Sequence, residues 1–269
     1  MMFYNNEIEK RCAMANSEGV IIQSLARAFE ILDFFQEESE MGISNISEKM
    51  GLSKSTVYGL VNTLVKYNYL EQDDVTKKYR LGLKLFEMGT IVESRMDIRR
   101  EANSYCNMLS EKYGLTVHLA THYEGEVVYL EKYAQRDFII VYSQVGKRAP
   151  MTCTGVGKAM LAYLDQDYID RYILSKPFPV KTVNSIPNER QLTKSLVKVR
   201  KQGYAFDDEE IALGLKCVAA PIFKQGGKVI AAISVSAMKS SVDEEEFNSI
   251  AEDVVMCANE ISARFGYRK

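Results

Sequence analysis

Between Ser24 and Phe35 the apolar residues Leu25, Ala28, Phe29, Leu32 and Phe35 fall at the three-and-four spacing of a helix, with Ser24 placed to cap it. A break at Met41-Gly42 leads into "SNISEKM", a brief helix with Ser44 as its expected cap and Gly51 as its stop. Ser53 then caps a third helix that runs to about Tyr67. Its Val57, Leu60, Val61 and Leu64 form one apolar stripe, so Lys54, Ser55, Tyr58, Gly59 and Asn62 face outward. "YLEQDDVTKKYRL" reads as two short strands around Asp73-Asp74. Helices joined by a glycine turn and followed by a hairpin predict a winged helix-turn-helix over 20–82. Residues 1–19 follow neither period and are expected to be a mobile arm.

"LGLKLFEMGTIVESR" continues as a linker helix over 83–97, and "IRREANSYCNMLSEKYG" as a further helix. From Leu115 the pattern turns to strands: "LTVHLATHY" and "EVVYLEKY" about a Glu124-Gly125 turn, then "FIIVYS". Helices follow near Gly155, near Asp167 and over "NERQLTKSLVKVRKQG". "YAFDD", "KCVAAPIF" and "KVIAAISVSA" read as strands, the last two joined at Gly226-Gly227, and a final helix starts from Asp243. Hairpin-linked strands mixed with helices predict an α+β domain on an antiparallel sheet over 98–269.

At 269 residues there is room for two such domains, and 46% hydrophobic against 26% charged residues supplies a globular core. The 34 basic and 36 acidic residues leave a net charge of −2, so a nucleic-acid surface has to be local. The sequence offers one. From Lys49 to Lys84, Lys49, Lys54, Lys66, Lys77, Lys78, Arg80 and Lys84 outweigh Glu71, Asp73 and Asp74, whereas Arg27 stands among acidic residues in the stretch before. The start of the third helix offers backbone N–H groups and the hydroxyls of Ser53, Ser55 and Thr56 to phosphates. Lys54, Tyr58 and Asn62 can reach base edges or backbone, and Lys77 and Lys78 on the wing a neighbouring phosphate.

The five cysteines, Cys12, Cys106, Cys153, Cys217 and Cys257, form no C-x-x-C pair and read as reduced thiols of a cytoplasmic protein. The polar start has no signal-peptide core, and no run approaches the roughly 18 apolar residues of a membrane helix.

"QSLARAFEILDFF", "ISEKMGLSKSTVYGLVNTL", "YLEQDD…YRLG", "VGKRAPMTCTGVGKAMLA" and "GYAFDDEEIALGLKCVAAPI…ISVSA" together resemble the IclR family of bacterial transcriptional regulators. The resemblance covers nearly everything after Val20, in order and spacing. It implies a sequence-specific DNA-binding regulator, most often a repressor, with a GAF-like second domain that senses small metabolites, often carboxylates. It also implies a homodimer or homotetramer on an inverted-repeat operator. One position departs: Gly59 stands where the family usually carries an arginine after "STVY".

The resemblance places Asp207 and Cys217 among the residues lining an effector site. The residues add their own reasons for others. "TCTGVGKAML" passes from a polar loop into a helix, leaving the N–H groups of Gly155 and Val156 for a carboxylate. Ser234 and Ser236 alternate onto one strand face, and Tyr142 is a candidate wall residue. An aspartate beside a bound carboxylate is better used accepting a proton from a ligand hydroxyl or hydrated carbonyl, which favours a hydroxy- or keto-acid.

Two other classes compete. His118 and His122 in "HLATH" have the spacing of a helical zinc pair, but in a strand four residues span roughly 13 Å, too far to share one ion. A thiol enzyme using Cys153 or Cys217 needs a paired base that the sequence does not supply, so no catalytic residue, metal or cofactor is expected. A constitutive DNA-binding protein whose second domain only oligomerises is the remaining alternative.

Overall fold

The structure, a computed structural model, describes residues 20–94, 97–134 and 143–267. The arm 1–19 with Cys12, most of the "FIIVYS" strand, and Tyr142 lie outside the described residues. The chain divides into two units, Met1–Arg95 and Met96–Lys269.

In the first unit, α1 (Gln23–Phe34), α2 (Ile43–Met50) and α3 (Lys54–Lys66) enclose Ile31, Phe35, Ile46, Val57, Val61 and Leu64. Gly51 closes α2 in the left-handed region at φ 64°, where a side chain would be strained. Two residues later the Ser53 Oγ accepts the Thr56 N–H at 3.3 Å and starts α3. β1 (Leu70–Gln72) and β2 (Tyr79–Leu81) pair antiparallel as the wing, and Met41 bridges to Tyr79 to tie it to the core. At the wing tip Asp73 Oδ1 accepts the N–H groups of Val75 (3.0 Å) and Thr76 (2.6 Å). α4 (Leu83–Ser94) follows.

Three local expectations are corrected. Ser24 does not cap α1; Ile22 holds that position without a side-chain bond. Gly42, not Ser44, precedes α2. In α1 Leu25 and Phe29 are exposed, and Ile31 takes the buried place between half-buried Ala28 and Leu32. Two overlapping stripes with helical spacing exist in α1, and packing against α3 selected the one through Ile31.

The second unit is built on a six-stranded antiparallel sheet. Its strands are β3 (Thr116–Tyr123), β4 (Glu126–Tyr133), β5 (Arg148–Pro150), β6 (Ala205–Asp208), β7 (Leu215–Lys224) and β8 (Lys228–Met238), in the order β5-β4-β3-β8-β7-β6. Alternation along the central strands sorts the two faces. Val117, Leu119, Val218, Ala220, Ile233 and Val235 pack under α5 (Asp97–Tyr113) and the terminal helix, Glu244–Arg264. Ala120, Ala205, Ala219 and Ala232 face the opposite layer, α6 (Gly155–Leu161), α7 (Gln166–Ile169) and α8 (Glu189–Gln202); the terminal helix is α9.

Those alanines let α6 lie close to the sheet. A Cβ on Gly155 would stand 3.4 Å from that of Ala219, and one on Gly157 would collide with the Met151 carbonyl oxygen at 2.3 Å. None of the helices among the described residues is long and apolar enough to cross a membrane.

Candidate functional site

On the first unit, α3 presents Lys54, Ser55, Thr56, Tyr58 and Asn62 to solvent, with Ser53 exposed at its start. Val57, Val61 and Leu64 hold the helix down from the other side. The Ser53 hydroxyl lies 3.0 Å from that of Ser55 and 2.9 Å from that of Thr56, a cluster of hydroxyls at the positive end of the helix. On the wing Lys77 and Lys78 are exposed, and Lys77 holds a left-handed φ of 58° at the turn. Small hydroxyls at a helix start with cations on an adjacent hairpin suit the phosphates and base edges of a duplex.

On the second unit a cavity of about 550 Å³ opens between α6 and the sheet. Register builds its floor. Asp207 of β6 pairs with Cys217 of β7, Cys217 with Ser236 of β8, and Ser236 with Thr116 of β3. One step along, Ser234 of β8 pairs with His118 of β3. Gly155 and Val156 form the edge where α6 begins. Thr154 caps that helix by accepting the Gly157 N–H at 3.2 Å, so the first-turn N–H groups of Gly155 and Val156 have no intrahelical acceptor. Six of the seven expected effector residues thus line one cavity, and Tyr142 lies outside the described residues.

The cavity also brings in residues that sequence reasoning had not assigned to an effector site. His118 is buried, with Nε2 2.7 Å from the Ser143 hydroxyl and Nδ1 3.4 Å from that of Ser236. Burial, reinforced by the Lys132 charge, pushes the imidazole down to about 3, so it is a neutral hydrogen-bonding group. His122 instead pairs with the Tyr168 hydroxyl at 3.0 Å, and no metal-binding cluster occurs among the described residues. The Tyr129 ring lies tilted by 52° against that of His118, with centroids 5.2 Å apart, and Arg148 and Lys181 contribute to the wall. The strand alternation that pairs Ser234 with Ser236 would have found His118 had the β3–β8 register been known.

Asp207 is buried and doubly employed. Its Oδ1 accepts the Glu210 N–H at 2.8 Å and the Ile211 N–H at 3.4 Å, closing the turn after β6, while the residue lines the cavity. Burial pushes its carboxyl up to about 7, with the Glu210 N–H and the Lys158 charge acting against the shift. Behind it, fully buried Lys158 of α6 pairs with Glu210 Oε1, and Glu210 Oε2 is a buried oxygen without a partner. Burial raises the Glu210 carboxyl as well, opposed by Lys158.

The thiols are inert by environment. Cys217 is held well above the ordinary thiol range by burial, with the Asp207 charge adding to it. Cys153 is raised by burial too, and its sulfur donates to the Pro179 carbonyl at 3.2 Å rather than to a base.

Comparisons with known proteins agree across both units. A profile described as the IclR helix-turn-helix domain matches residues 24–74, and one for the bacterial transcriptional regulator IclR C-terminal domain matches residues 90–263. The HTH-type transcriptional regulator XynR of Escherichia coli is 38% identical over 248 residues, covering 92% of this chain and 98% of that protein. E. coli KdgR is 34% identical over 246 residues, covering 91% and 94%. The Thermotoga maritima IclR crystal structure superposes with a TM-score of 0.75 at 33% identity, covering 91% of this chain and 99% of that one. A Microbacterium hydrocarbonoxydans IclR homologue solved with 4-hydroxybenzoate shares the fold at 23% identity and TM-score 0.80, covering 91% and 99%. The chain therefore belongs to the IclR family: it is a DNA-binding transcriptional regulator with an N-terminal helix-turn-helix domain and a C-terminal ligand-binding domain.

Proposed function

We propose that the chain is a repressor released or recruited by a small hydroxy- or keto-carboxylate bound in the cavity of the second unit. The observation that carries this reading is the polar floor under α6, where Asp207, Cys217 and Ser236 form one row across three strands beside Ser234 and His118. Gly155 and Val156 receive the ligand carboxylate through their N–H groups. Asp207 and the serines take its hydroxyl or hydrated carbonyl. A carboxyl that titrates near 7 serves either as donor or as acceptor to such a group.

In the same reading the protein acts in the cytoplasm as a homodimer or a dimer of dimers on an inverted-repeat operator. Supporting self-association, α4 is apolar yet exposed, with Leu83 at 63% and Phe86 at 71% of full exposure. Operator contacts come from Ser53, Lys54, Ser55, Thr56, Tyr58, Asn62, Lys77 and Lys78. Effector and DNA communicate as a population shift, the acid binding two arrangements of the paired DNA heads with different affinity.

The test is a thermal-shift screen of two- to six-carbon hydroxy and keto acids, followed by fluorescence anisotropy on promoter fragments. An inducing acid is expected to raise the melting temperature of wild type, and Ser234→Ala or Asp207→Ala to blunt that rise. Failure of every acid to shift wild type, with operator affinity unchanged by any of them, favours the constitutive DNA-binding alternative instead.

A further inference from the structure

Gly59 has no reason within its own chain to be glycine. It lies mid-way along α3, it is exposed, and its φ is not in the left-handed region. A Cβ built there meets no atom within 4 Å. Glycine in a helix interior nevertheless costs stability relative to alanine. Several other glycines are explained internally: a Cβ on Gly82 would strike the Asn68 carbonyl oxygen at 2.2 Å, and Gly51 needs its positive φ. Gly89 shares the open surroundings of Gly59, and it lies on α4, the apolar helix proposed above to meet a second copy.

Position sharpens the point. At about 100° per residue, Gly59 falls nearly opposite the buried Val57, Val61 and Leu64, at the centre of the outward face. Its neighbours one turn away, Ser55 and Thr63, are short, and the Thr63 hydroxyl turns inward to donate to the Gly59 carbonyl at 2.8 Å. Tyr58 stands to one side, 57% exposed. The middle of the outward face is therefore bare backbone between short side chains.

We propose that Gly59 is a specificity-determining residue of the DNA interface, its missing side chain leaving room for the C5-methyl group of a thymine in the major groove. The thymine methyl is the apolar feature that projects from a base edge there, and a bare Cα lets it come closer to the helix backbone than an alanine side chain would. Other groups on the same face fix register through phosphates, so this contact adds discrimination at one base pair of each half-site. The proposal rests on the DNA-binding reading and extends it to one position.

The experiment uses full-length wild type and Gly59→Ala, each taken through selection from randomised duplexes. The selected wild-type duplex is then remade with each thymine replaced in turn by uracil, which removes only the methyl. Wild type is expected to lose about fivefold or more in affinity at one symmetry-related thymine. Gly59→Ala is expected to melt a few degrees higher in the free state, to bind the thymine duplex at least fivefold more weakly, and to recover on the uracil duplex. Equal affinity and the same selected sequence for both proteins, or indifference of wild type to uracil at every thymine, would overturn this inference alone. A wild type that enriches no sequence would remove the DNA-binding reading beneath it.

Discussion

At the scale of single residues, the second unit buries ionisable groups in an otherwise apolar core. Asp207 holds its proton to about pH 7 in the folded chain, whereas an unfolded aspartate releases it near 3.8. Folding therefore takes up a proton between those values, and the stability Asp207 confers as a neutral acid is present below about pH 4 and lost as pH rises towards 7. Asp207→Asn removes that dependence. Melting temperatures from pH 4 to 8 should fall less steeply in the variant, which should be more stable than wild type at pH 8.

Lys158 gives the opposite lesson. Replacing it by methionine leaves the buried Glu210 carboxylate uncompensated and should cost about 3 kcal/mol in urea denaturation. Lys158→Met with Glu210→Gln should recover most of that loss, because no buried charge is then left unpaired. Neither residue stands out in the sequence. A lysine in "GVGKAML" reads as a surface residue until the helix is seen pressed onto a sheet of alanines.

At the scale of elements, one helix start and one helix stop followed local chemistry, while the expected caps at Ser24 and Ser44 and the expected stripe of α1 did not. Ser53 caps α3 and Gly51 ends α2 as local chemistry requires, since each needs only its own neighbours within three residues. Ser53→Ala should cost about 1 kcal/mol of stability, read by chemical denaturation, while also reducing DNA affinity. In α1, by contrast, Leu25 and Phe29 match the spacing and yet stay exposed. Two stripes were available, and only contact with α3 could choose. For the wing, Lys77→Gln and Lys78→Gln should each lower the salt dependence of DNA binding by about one unit of log K against log salt. The overall preference among sequences should be little changed, because phosphate contacts carry no base readout.

For the whole molecule, the proposed self-association would account for the exposed apolar residues of α4. Leu83→Glu with Phe86→Glu should shift full-length protein towards monomer in light scattering and weaken binding to an inverted repeat more than to a half-site. A dimer that survives both charges would place its interface elsewhere.

Apart from β5, which the sequence reading did not anticipate, the order of the described elements, the hairpin pairing of consecutive strands and the polar face of α3 were written in short-range patterns: a period of 3.6 or 2, and turn residues at fixed offsets. These depend on interactions within a few residues, which a sequence displays directly. The cavity was decided otherwise. His118, Asp207, Cys217, Ser234 and Ser236 come from four strands, and what joins them is hydrogen-bond register across β3, β8, β7 and β6. Register is a long-range property set by how the whole sheet packs under α6. The family resemblance and strand alternation had nominated the aspartate and the two serines, but only the tertiary structure could set His118 on the same floor and bury Lys158 nearby.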